Sequence, residues 1–316
     1  MRLAFWSAAL AVSLMLAGHA TQAIADESRA VSIEQTADAV SLQTKSGRTV
    51  LRYQLKKRAD KNLSVSSACY FHPFATPAGV TITEVAPADH PHHRGIFLAF
   101  VEMHGKFDAD FWGWGEHAPK DGREIVNRSV TAGQDKNPVI TARNEWTADD
   151  KVVIQETLMA TLTQPSQEAN LLDLHYTLTP TADTTLSQWA FSGFCVRTRK
   201  DARLTALGPQ GEVKLPNPSH LKPESDWPAE PWYAYELQFA GDKIAGVAVI
   251  DHPQNPKSLW HNHRDIRMLN PSIVAPAAVK LGAGKPLVLR YRVVAYDGRT
   301  RPDELNRLAS EFAKLK

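Results

Sequence analysis

Short apolar runs with alternating polar positions dominate the sequence. In the run LVLRYRVVAY, Arg290 and Arg292 fall on one face while Leu289, Tyr291 and Val293 fall on the other. This period of two is typical of a half-buried β-strand. Comparable runs, rich in β-branched and aromatic residues and bounded by Gly, Pro, Asp and Asn, predict further strands. The predicted strands span residues 49–55, 95–101, 152–161, 171–178, 190–196, 234–239, 244–250 and 286–296.

Only one helix is clear from the pattern. It opens near Pro302, with acidic residues in its first turn, and its apolar stripe comprises Leu305, Leu308 and Phe312. Many strands without alternating helices predict an all-β fold, for which a closed barrel, a propeller and a sandwich are the alternatives. The chain shows no repeat of blade length, which disfavours a propeller. We predict a large antiparallel β-sandwich with one C-terminal helix.

The first residues are predicted to be a targeting segment. A basic start, the apolar run Leu3–Leu16 and the small residues Ala23 and Ala25 are typical of a secretory signal peptide covering residues 1–25. A membrane anchor is the alternative, but the run is shorter than the roughly 20 residues that span a bilayer. We therefore predict a periplasmic or secreted protein with no membrane span after cleavage. Residues 26–316 are predicted to form a single β-sandwich domain.

Composition narrows the function classes. The 316 residues include 36 basic and 34 acidic side chains without a basic stripe, so no nucleic-acid partner is expected. Cys69 and Cys195 could pair, but both lie in apolar strand-like runs, which favours buried free thiols. Neither a G-x-S-x-G elbow, a dinucleotide fingerprint nor a P-loop occurs. We therefore expect no nucleotide cofactor.

The motif DHPHHRG carries the most chemistry. Pro91 disfavours a helix at His90, and on an extended chain His90 and His92 would point to one side and His93 to the other. A His-x-His pair can offer two neutral imidazoles to one divalent metal ion, with Asp89 orienting a ring. The alternative is a set of structural histidines bonded to backbone carbonyls.

A second motif, SLWHNHRD, repeats this chemistry. It contains His261, His263 and Arg264, and His252 lies a little upstream, directly after a predicted strand. Each His-x-His element is followed at once by an arginine. We hypothesise that the two elements converge on one site, where imidazoles act as metal ligands or bases. The guanidinium groups of Arg94 and Arg264 would hold an anion or polarise a carbonyl.

A third motif, DADFWGWGEH, favours a sugar ligand. Trp112 and Trp114 are two residues apart, so on an extended segment both rings face one way. Indole faces suit the C–H faces of sugar rings, and Asp110 and Glu116 are candidate acceptors for hydroxyl groups. A buried aromatic pair is the alternative. The loop 208–231 contains six prolines, which exclude regular structure and indicate a functional or mobile segment.

Four blocks resemble a known family. They are CYFHPFATPAGVTITEVAPADHPHHRGIFLAF, DFWGWG, GVAVIDHPQNPKSLWHNHRDIRMLNPS and LRYRVVAYDGR, and together they resemble the PmoA-like family of bacterial exported proteins. The resemblance implies a galactose-mutarotase-like supersandwich that binds sugars on a concave sheet face, with histidines and a carboxylate transferring protons. Its recurring polar residues are His72, Asp89, His90, His92, His93, Arg94, Asp251, His252, Asn255, His261 and Asp297. At SLWHNHR the chain departs from the family pattern, which makes His263 peculiar to this protein.

We therefore predict a periplasmic carbohydrate-active enzyme. It would act on a saccharide or keto-sugar derivative by histidine-based proton transfer, as a lyase, epimerase or hydrolase. The candidate catalytic residues are His92, His93, Arg94 and His252. The candidate substrate-binding residues are His72, Asp89, Trp112, Trp114, Asn255 and Arg264. A divalent metal ion, if used, would be held by His90, His92 and His261. The alternatives are a non-catalytic sugar-binding module and a periplasmic metal-binding protein.

Overall fold

A computed structural model of the chain describes residues 31–164 and 166–315. The predicted signal peptide, residues 1–25, lies outside the described residues. The strands are β1 (Val31–Gln35), β2 (Ala39–Thr44), β3 (Thr49–Gln54), β4 (Tyr70–Phe74), β5 (Ile96–Ala99), β6 (Met103–Gly105), β7 (Arg123–Gln134), β8 (Pro138–Ala148), β9 (Lys151–Thr163), β10 (Ala169–Pro180), β11 (Thr184–Leu186), β12 (Gly193–Arg197), β13 (Arg203–Gly208), β14 (Gly211–Glu212), β15 (Trp232–Gln238), β16 (Ile244–Asp251), β17 (Leu259–Trp260), β18 (Met268–Leu269), β19 (Pro271–Ser272), β20 (Val279–Leu281) and β21 (Leu287–Asp297). The α-helix α1 spans Pro302–Phe312, and 3-10 turns lie at Pro223–Ser225 and Ala240–Asp242.

Two large sheets hold most of these strands. The seven-stranded sheet has the order β1-β2-β3-β4-β5-β12-β18, and the nine-stranded sheet has the order β14-β13-β15-β16-β21-β10-β9-β8-β7. A three-stranded sheet, β20-β11-β6, and the pair β17-β19 complete the set. The pairings are antiparallel, including those of β5 with β12 and of β12 with β18 that later build the site.

The two large sheets face each other across one shared apolar core. Tyr53 and Phe97 from the seven-stranded sheet and Trp146 from the nine-stranded sheet belong to the same buried cluster. Phe194 of β12 stacks on Tyr291 of β21 with ring centroids 4.1 Å apart, which ties the sheets together. The predicted all-β antiparallel sandwich with one C-terminal helix is confirmed. That residues 26–316 form a single domain stays a prediction.

Helix α1 covers the outer face of the nine-stranded sheet. Leu305, Leu308 and Phe312 of the helix pack with Trp232 and Ile250 of the strands beneath it. Strand β16 is therefore apolar on both faces, because one face meets the core between the sheets and the other meets the helix. Strand β10 joins this cluster only near its start, through Leu171, and further along it alternates between buried and half-buried residues.

Each of the eight predicted strands matches an observed one: β3, β5, β9, β10, β12, β15, β16 and β21. Most of the strands that the pattern missed are short; the two longest are β7 and β8, whose exposed faces carry many polar residues. Both cysteines are free as expected, with Cys195 buried and Cys69 half-buried. The loop 208–231 contains only β14 and one 3-10 turn between the ends of its flanking strands. Within the described residues no helix has the length and hydrophobicity to cross a membrane.

Candidate functional site

Histidines from three separate parts of the chain line one cavity of about 220 Å³. They come from the first histidine motif, from the second, and from the proline-rich loop. Aromatic and apolar side chains fill the spaces between them. The lining residues are His90, His92, His93, Trp112, Trp114, Phe191, Pro218, His220, His261, His263, Ile266 and Met268. The hypothesis that the two histidine motifs converge therefore agrees with the structure.

Sheet pairing explains why the two motifs meet. The first motif runs into β5, and β5 pairs with β12. Strand β12 pairs in turn with β18, which is the return arm of a hairpin that begins at His261. In this hairpin the main-chain N–H of His263 donates to the carbonyl of Met268 at 3.0 Å. Three neighbouring strands thus place motifs distant in sequence side by side.

The first motif is a turn, so the arrangement of rings expected for an extended chain does not apply. The N–H of His90 donates to Pro87 O at 3.0 Å, and the N–H of His93 donates to His90 O at 3.0 Å. The turn brings all three rings to one side, with centroids 4.6 Å apart for His92 and His93 and 4.9 Å apart for His90 and His93. The motif therefore offers the cavity three imidazoles.

Two glycines allow the close packing that this turn needs. Gly95 has φ +68°, and a Cβ there would lie 2.3 Å from Phe71 O. Gly113 has φ +105°, and a Cβ there would lie 2.3 Å from Val65 Cγ1 and 2.9 Å from the Cβ of His92. Larger residues would strain the backbone and displace His92.

Asp226 and His261 form a buried pair at the cavity wall. Main-chain hydrogen bonds of 2.8 and 2.9 Å between Trp227 and Trp260 fasten the proline-rich loop to β17. The neighbouring Asp226 therefore lies beside His261, with Oδ1 2.6 Å from Nδ1. No hydrogen-bond partner for His261 Nε2 occurs among the described residues, so this nitrogen is left for a ligand.

Burial keeps the cavity histidines neutral. Burial, with repulsion from His90 and Arg94, lowers the pKa of His92 to about 3, and burial with the neighbouring His261 lowers the pKa of His263 to about 4. Burial lowers the pKa of His93 well below its usual range. For His90 the effect of burial exceeds that of the hydrogen bond which its ring donates to Asp89, and its pKa is also lowered. Near pH 7 these rings are uncharged.

A second buried pair fixes the orientation of His93. Arg197 Nη1 lies 3.3 Å from His93 Nδ1. A guanidinium can only donate, so Nδ1 accepts and the ring proton lies on Nε2. Arg197 also donates to Asp89 at 3.2 Å. Burial by itself would raise the pKa of Asp89. The net effect is a lowered pKa, because Asp89 accepts hydrogen bonds from Lys200 and His90 and lies near the charge of Arg197.

The two predicted indoles both line the cavity but are not equivalent. Trp112 is fully buried, with its ring centroid 5.7 Å from that of His93, so it is a wall of the core. Trp114 is half-buried and lies 6.2 Å from His92 between centroids. Asp110 is no hydroxyl acceptor, because it accepts from the N–H groups of Gly113 and Gly115 and shapes the turn. Glu116 is exposed and lies outside the lining.

The structure does not bring Arg94 or His72 to the cavity. Arg94 is fully buried, and it donates to the carbonyls of His92 at 3.2 Å, Phe111 at 3.0 Å and Trp112 at 3.3 Å. Direct contact with a substrate, as predicted for Arg94, is therefore excluded in this arrangement. His72 is bonded to Thr83 at 2.9 Å and supports the strands behind the site.

His252, Asn255 and Arg264 also lie elsewhere. His252 packs against Phe312 of α1 and lies 3.1 Å from the carbonyl of Leu315. Asn255 bonds Asp251 at 2.6 Å and closes a turn. Arg264 donates to carbonyl oxygens of the proline-rich loop, at Val213 and Leu215, and lies over the ring of Trp227. These three therefore have structural contacts, and a direct role in substrate binding or catalysis is not supported by their positions.

A metal role for His90, His92 and His261 stays a prediction. The three rings line the same cavity, but Nδ1 of His90 is bonded to Asp89 at 2.9 Å and Nδ1 of His261 is bonded to Asp226. Among residues 31–164 and 166–315, no group of three or more His, Cys, Asp or Glu side chains has positions that could hold a metal ion.

Sequence reasoning missed Phe191, His220 and Asp226. Phe191 contacts Trp114 and His261 with centroid distances of 5.4 Å, and it joins the tryptophan motif to the second histidine motif at the cavity wall. His220 and Asp226 lie in the proline-rich loop, which the sequence indicated as functional without pointing to a residue. A single Asp before a Trp belongs to no recognisable sequence motif. The role of Asp226 becomes visible only in the structure, where the pairing of Trp227 with Trp260 places it beside His261.

Fold and site together define an all-β sandwich protein with one histidine-rich and indole-rich cavity. The chain belongs to the family of unknown function DUF6807, whose model matches residues 12–310. The prediction of the PmoA-like family is therefore wrong, since the family model that matches is a different one. No curated protein sequence matches the chain.

Several solved structures resemble the chain at low identity. A galactose mutarotase related enzyme from Lactobacillus acidophilus is 6% identical with a TM-score of 0.37, and the match covers 86% of this chain and 98% of that one. The heparan sulfate lyase HepC of Pedobacter heparinus, as a mutant, is 9% identical with a TM-score of 0.37, covering 92% and 41%. A protein from the human microbiome assigned as a kojibiose phosphorylase is 8% identical with a TM-score of 0.36, covering 90% and 33%. This chain thus spans about a third of the phosphorylase, and such weak similarities carry no argument about activity.

Proposed function

We propose that this protein is an exported carbohydrate-active enzyme that transfers protons with histidine side chains. Its substrate would be a saccharide or keto-type sugar derivative, and the reaction would be that of a lyase, epimerase or hydrolase. The observation that carries the proposal is the buried Asp226–His261 pair in the wall of a cavity that five further histidines line. A histidine with a purely structural role would not need a buried carboxylate such as Asp226 bonded to one ring nitrogen while the ring itself lines a cavity.

The Asp226–His261 pair is suited to proton transfer. Both side chains are almost completely buried, and Nδ1 and Oδ1 lie 2.6 Å apart. Burial raises the pKa of Asp226 and lowers the pKa of His261, so near neutral pH the pair holds one shared proton. The carboxyl group fixes the ring and leaves Nε2 to donate a proton to a ligand and take it back.

The opposite side of the cavity supplies complementary groups. Arg197 holds His93 with its proton on Nε2. His92 has no hydrogen-bond partner for either ring nitrogen among the described residues, and it is neutral, so one nitrogen keeps a free lone pair. A ligand in the cavity would therefore meet imidazole donors and an imidazole acceptor. This combination is what acid–base catalysis requires.

The cavity favours a small ring with apolar faces. Trp112, Trp114 and Phe191 form aromatic walls, and aromatic rings bind the C–H faces of sugars while leaving hydroxyl groups to polar partners. Its volume of about 220 Å³ lies below the roughly 300–1,000 Å³ of pockets for drug-sized ligands. A single sugar ring is therefore the expected occupant.

The test is turnover of sugars in D2O followed by proton NMR. This readout records both exchange of sugar C–H groups with solvent and the formation of products. We expect the Asp226→Asn variant to lose about 10²–10⁴-fold in rate, because the amide cannot hold the shared proton, while sugar binding persists. Asp242→Asn, at an exposed site, should behave as the wild type.

Two outcomes would overturn the proposal. If the wild type binds sugars but neither exchanges nor converts any of them, the protein is a binding module. If Asp226→Asn keeps the full rate, the pair is structural and the catalytic assignment fails.

A further inference from the structure

We infer that the ligand of the histidine cavity is an anionic sugar, a monosaccharide unit that carries a carboxylate. The inference rests on the proposed function and narrows its substrate class. Buried positive charge without a matching carboxylate, and hydrogen-bond donors without acceptors, both point to a negatively charged occupant.

Arg94 is a buried cation that makes no ion pair or hydrogen bond with a carboxylate among the described residues. Asp110 acts on it only through its charge, and that carboxylate accepts from main-chain amides. The three hydrogen bonds of Arg94 go to carbonyl oxygens, Nε has no partner, and the guanidinium lies 4.5 Å above the ring of Phe97. Removing a charge from water is costly unless an opposite charge compensates it. The guanidinium holds the main chain of His92 and Trp112, so it lies directly behind two residues of the cavity wall. An anion in the cavity would compensate this charge.

The other charges near the cavity do not reverse this balance. Three cationic side chains, Arg94, Arg197 and Lys120, lie close enough for their charges to lower the pKa of His92. The nearby carboxylates are already engaged: Asp89 by Lys200 and Arg197, Asp110 by main-chain amides, and Asp226 by His261. Glu84, which the cavity lining does not include, lies 3.6 Å from Arg197 Nε. No carboxylate is among the lining residues, so an anionic ligand would meet no carboxylate in the cavity wall.

Residues that line the cavity also carry hydrogen-bond donors that have no partner. The Nε1 atoms of Trp112 and Trp114 are buried and have no partner in the described part of the chain. An indole can only donate, and His93 adds a third donor at Nε2. A carboxylate accepts up to about four hydrogen bonds, whereas a hydroxyl group needs an acceptor as well. The donor-rich wall thus selects a carboxylate over a further hydroxyl group.

The experiment compares charged and neutral forms of the same sugar. The full-length mature protein is titrated with glucuronate against glucose, galacturonate against galactose, and acetate as a simple anion, with tryptophan fluorescence and calorimetry as readouts. We expect each uronate to bind at least about tenfold more tightly than its neutral hexose, as for a hydrogen bond to a charged group. Acetate should bind more weakly than either uronate.

The other possible outcomes distinguish a failure of this inference from a failure of the proposed function. Hexoses that bind as tightly as uronates would overturn this inference and leave the proposed function standing. Acetate that binds as tightly as the uronates would keep the anion site and overturn the saccharide part of the proposed function. If no compound of the panel binds, both are overturned.

Two variants test whether the preference for uronate over hexose arises in the histidine cavity. Arg94→Met should reduce the preference for uronate over hexose about tenfold, provided its circular dichroism and thermal unfolding match a folded protein. Trp114→Phe keeps an aromatic ring at this position, although a smaller one, and removes the Nε1 donor, so it tests the inference whether or not Arg94→Met folds. It should weaken uronate binding about tenfold and hexose binding much less. Lys243→Gln, exposed and outside the cavity lining, is the matched control, and an unchanged preference in Trp114→Phe would contradict the donor argument.

Discussion

Single residues show how a protein can crowd imidazoles without electrostatic repulsion. The rings of His92 and His93 lie 4.6 Å apart between centroids, and two imidazolium ions at that distance would repel strongly in a buried site. Burial prevents this by keeping both rings neutral. Their neutrality also makes the stability of the fold sensitive to acid, because at low pH these histidines bind protons in the unfolded chain and stay unprotonated in the folded one.

The pH dependence of stability follows from the lowered pKa of His92. The unfolded residue titrates near 6.5 and the folded residue near 3, so stability is lost as the pH falls below 6.5. At about 1.4 kcal/mol per pH unit, the wild type should lose up to about 2 kcal/mol relative to His92→Gln between pH 6.5 and pH 5. Urea unfolding of both proteins at pH 7 and pH 5 measures this difference.

His104 provides a control of opposite sign. Hydrogen bonds to Glu102 and Asp108 raise its pKa in the folded protein, so its contribution is present at low pH and is lost as the pH rises through the folded pKa. The ring is substantially exposed, and the effect should be small.

Parallel pH curves for the wild type and His92→Gln would show that His92 is not buried in its neutral form.

Among the structural elements, the proline-rich loop 208–231 decides whether the cavity is complete. It supplies Pro218 and His220 to the lining and Asp226 to the pair with His261. The hydrogen bonds between Trp227 and Trp260 fasten one end, while Arg264 fastens the middle through carbonyl oxygens. Arg264, predicted to bind substrate, therefore acts on the loop that closes the site.

Arg264→Met should loosen this loop without unfolding the sandwich. We expect sugar affinity to fall about 3–10-fold and the amides of residues 213–220 to exchange faster with solvent. The global free energy of unfolding should change by no more than about 1 kcal/mol, as for lost hydrogen bonds at a half-exposed site. Hydrogen exchange with mass spectrometry measures the first effect, and Arg203→Met, exposed on β13, is the control. Unchanged exchange at 213–220 would contradict the anchoring role.

Elements were predictable to different degrees for physical reasons. Strands such as β9 and β21 were predictable because burial imposes an alternating pattern on a single strand. The conformation of the first motif stayed open, because proline allows both a turn and an extended chain. That the two histidine motifs share a cavity could be hypothesised from their similarity. Asp226 could not be predicted from the sequence, because its role depends on which strand the proline-rich loop pairs with. The residues around Asp226 do not indicate that pairing.

Across the whole molecule, one polar network links the two sheets through the core. Asn144 of β8 donates to the hydroxyl of Tyr53 on β3 at 2.8 Å and to Glu156 of β9 at 2.6 Å. Glu156 also accepts from Trp146 at 2.7 Å, and burial raises the pKa of its carboxyl group. A buried network whose members are satisfied specifies how the sheets align as well as holding them together.

Tyr53→Phe and Tyr70→Phe form a matched pair that tests this link. Both tyrosines are fully buried in the same sheet, but the Tyr70 hydroxyl has no hydrogen-bond partner in the described residues. Tyr53→Phe should cost about 0.5–1.5 kcal/mol by removing the hydrogen bond to Asn144, while Tyr70→Phe should be neutral or stabilising. Chemical unfolding of the two variants measures both values. Equal effects would show that the cross-sheet hydrogen bond contributes nothing specific.

The assembly of the cavity from distant segments has a consequence for the order of folding. His93 and Arg197, which meet at the wall, are 104 residues apart in the chain, and Asn270 reaches Ser192 across 78 residues. Contacts of such high sequence separation form slowly, because each closes a long loop. No single hairpin could contain this cavity, because it needs β5, β12 and β18 together with the proline-rich loop. We therefore expect the cavity to appear late in refolding, after these strands have paired.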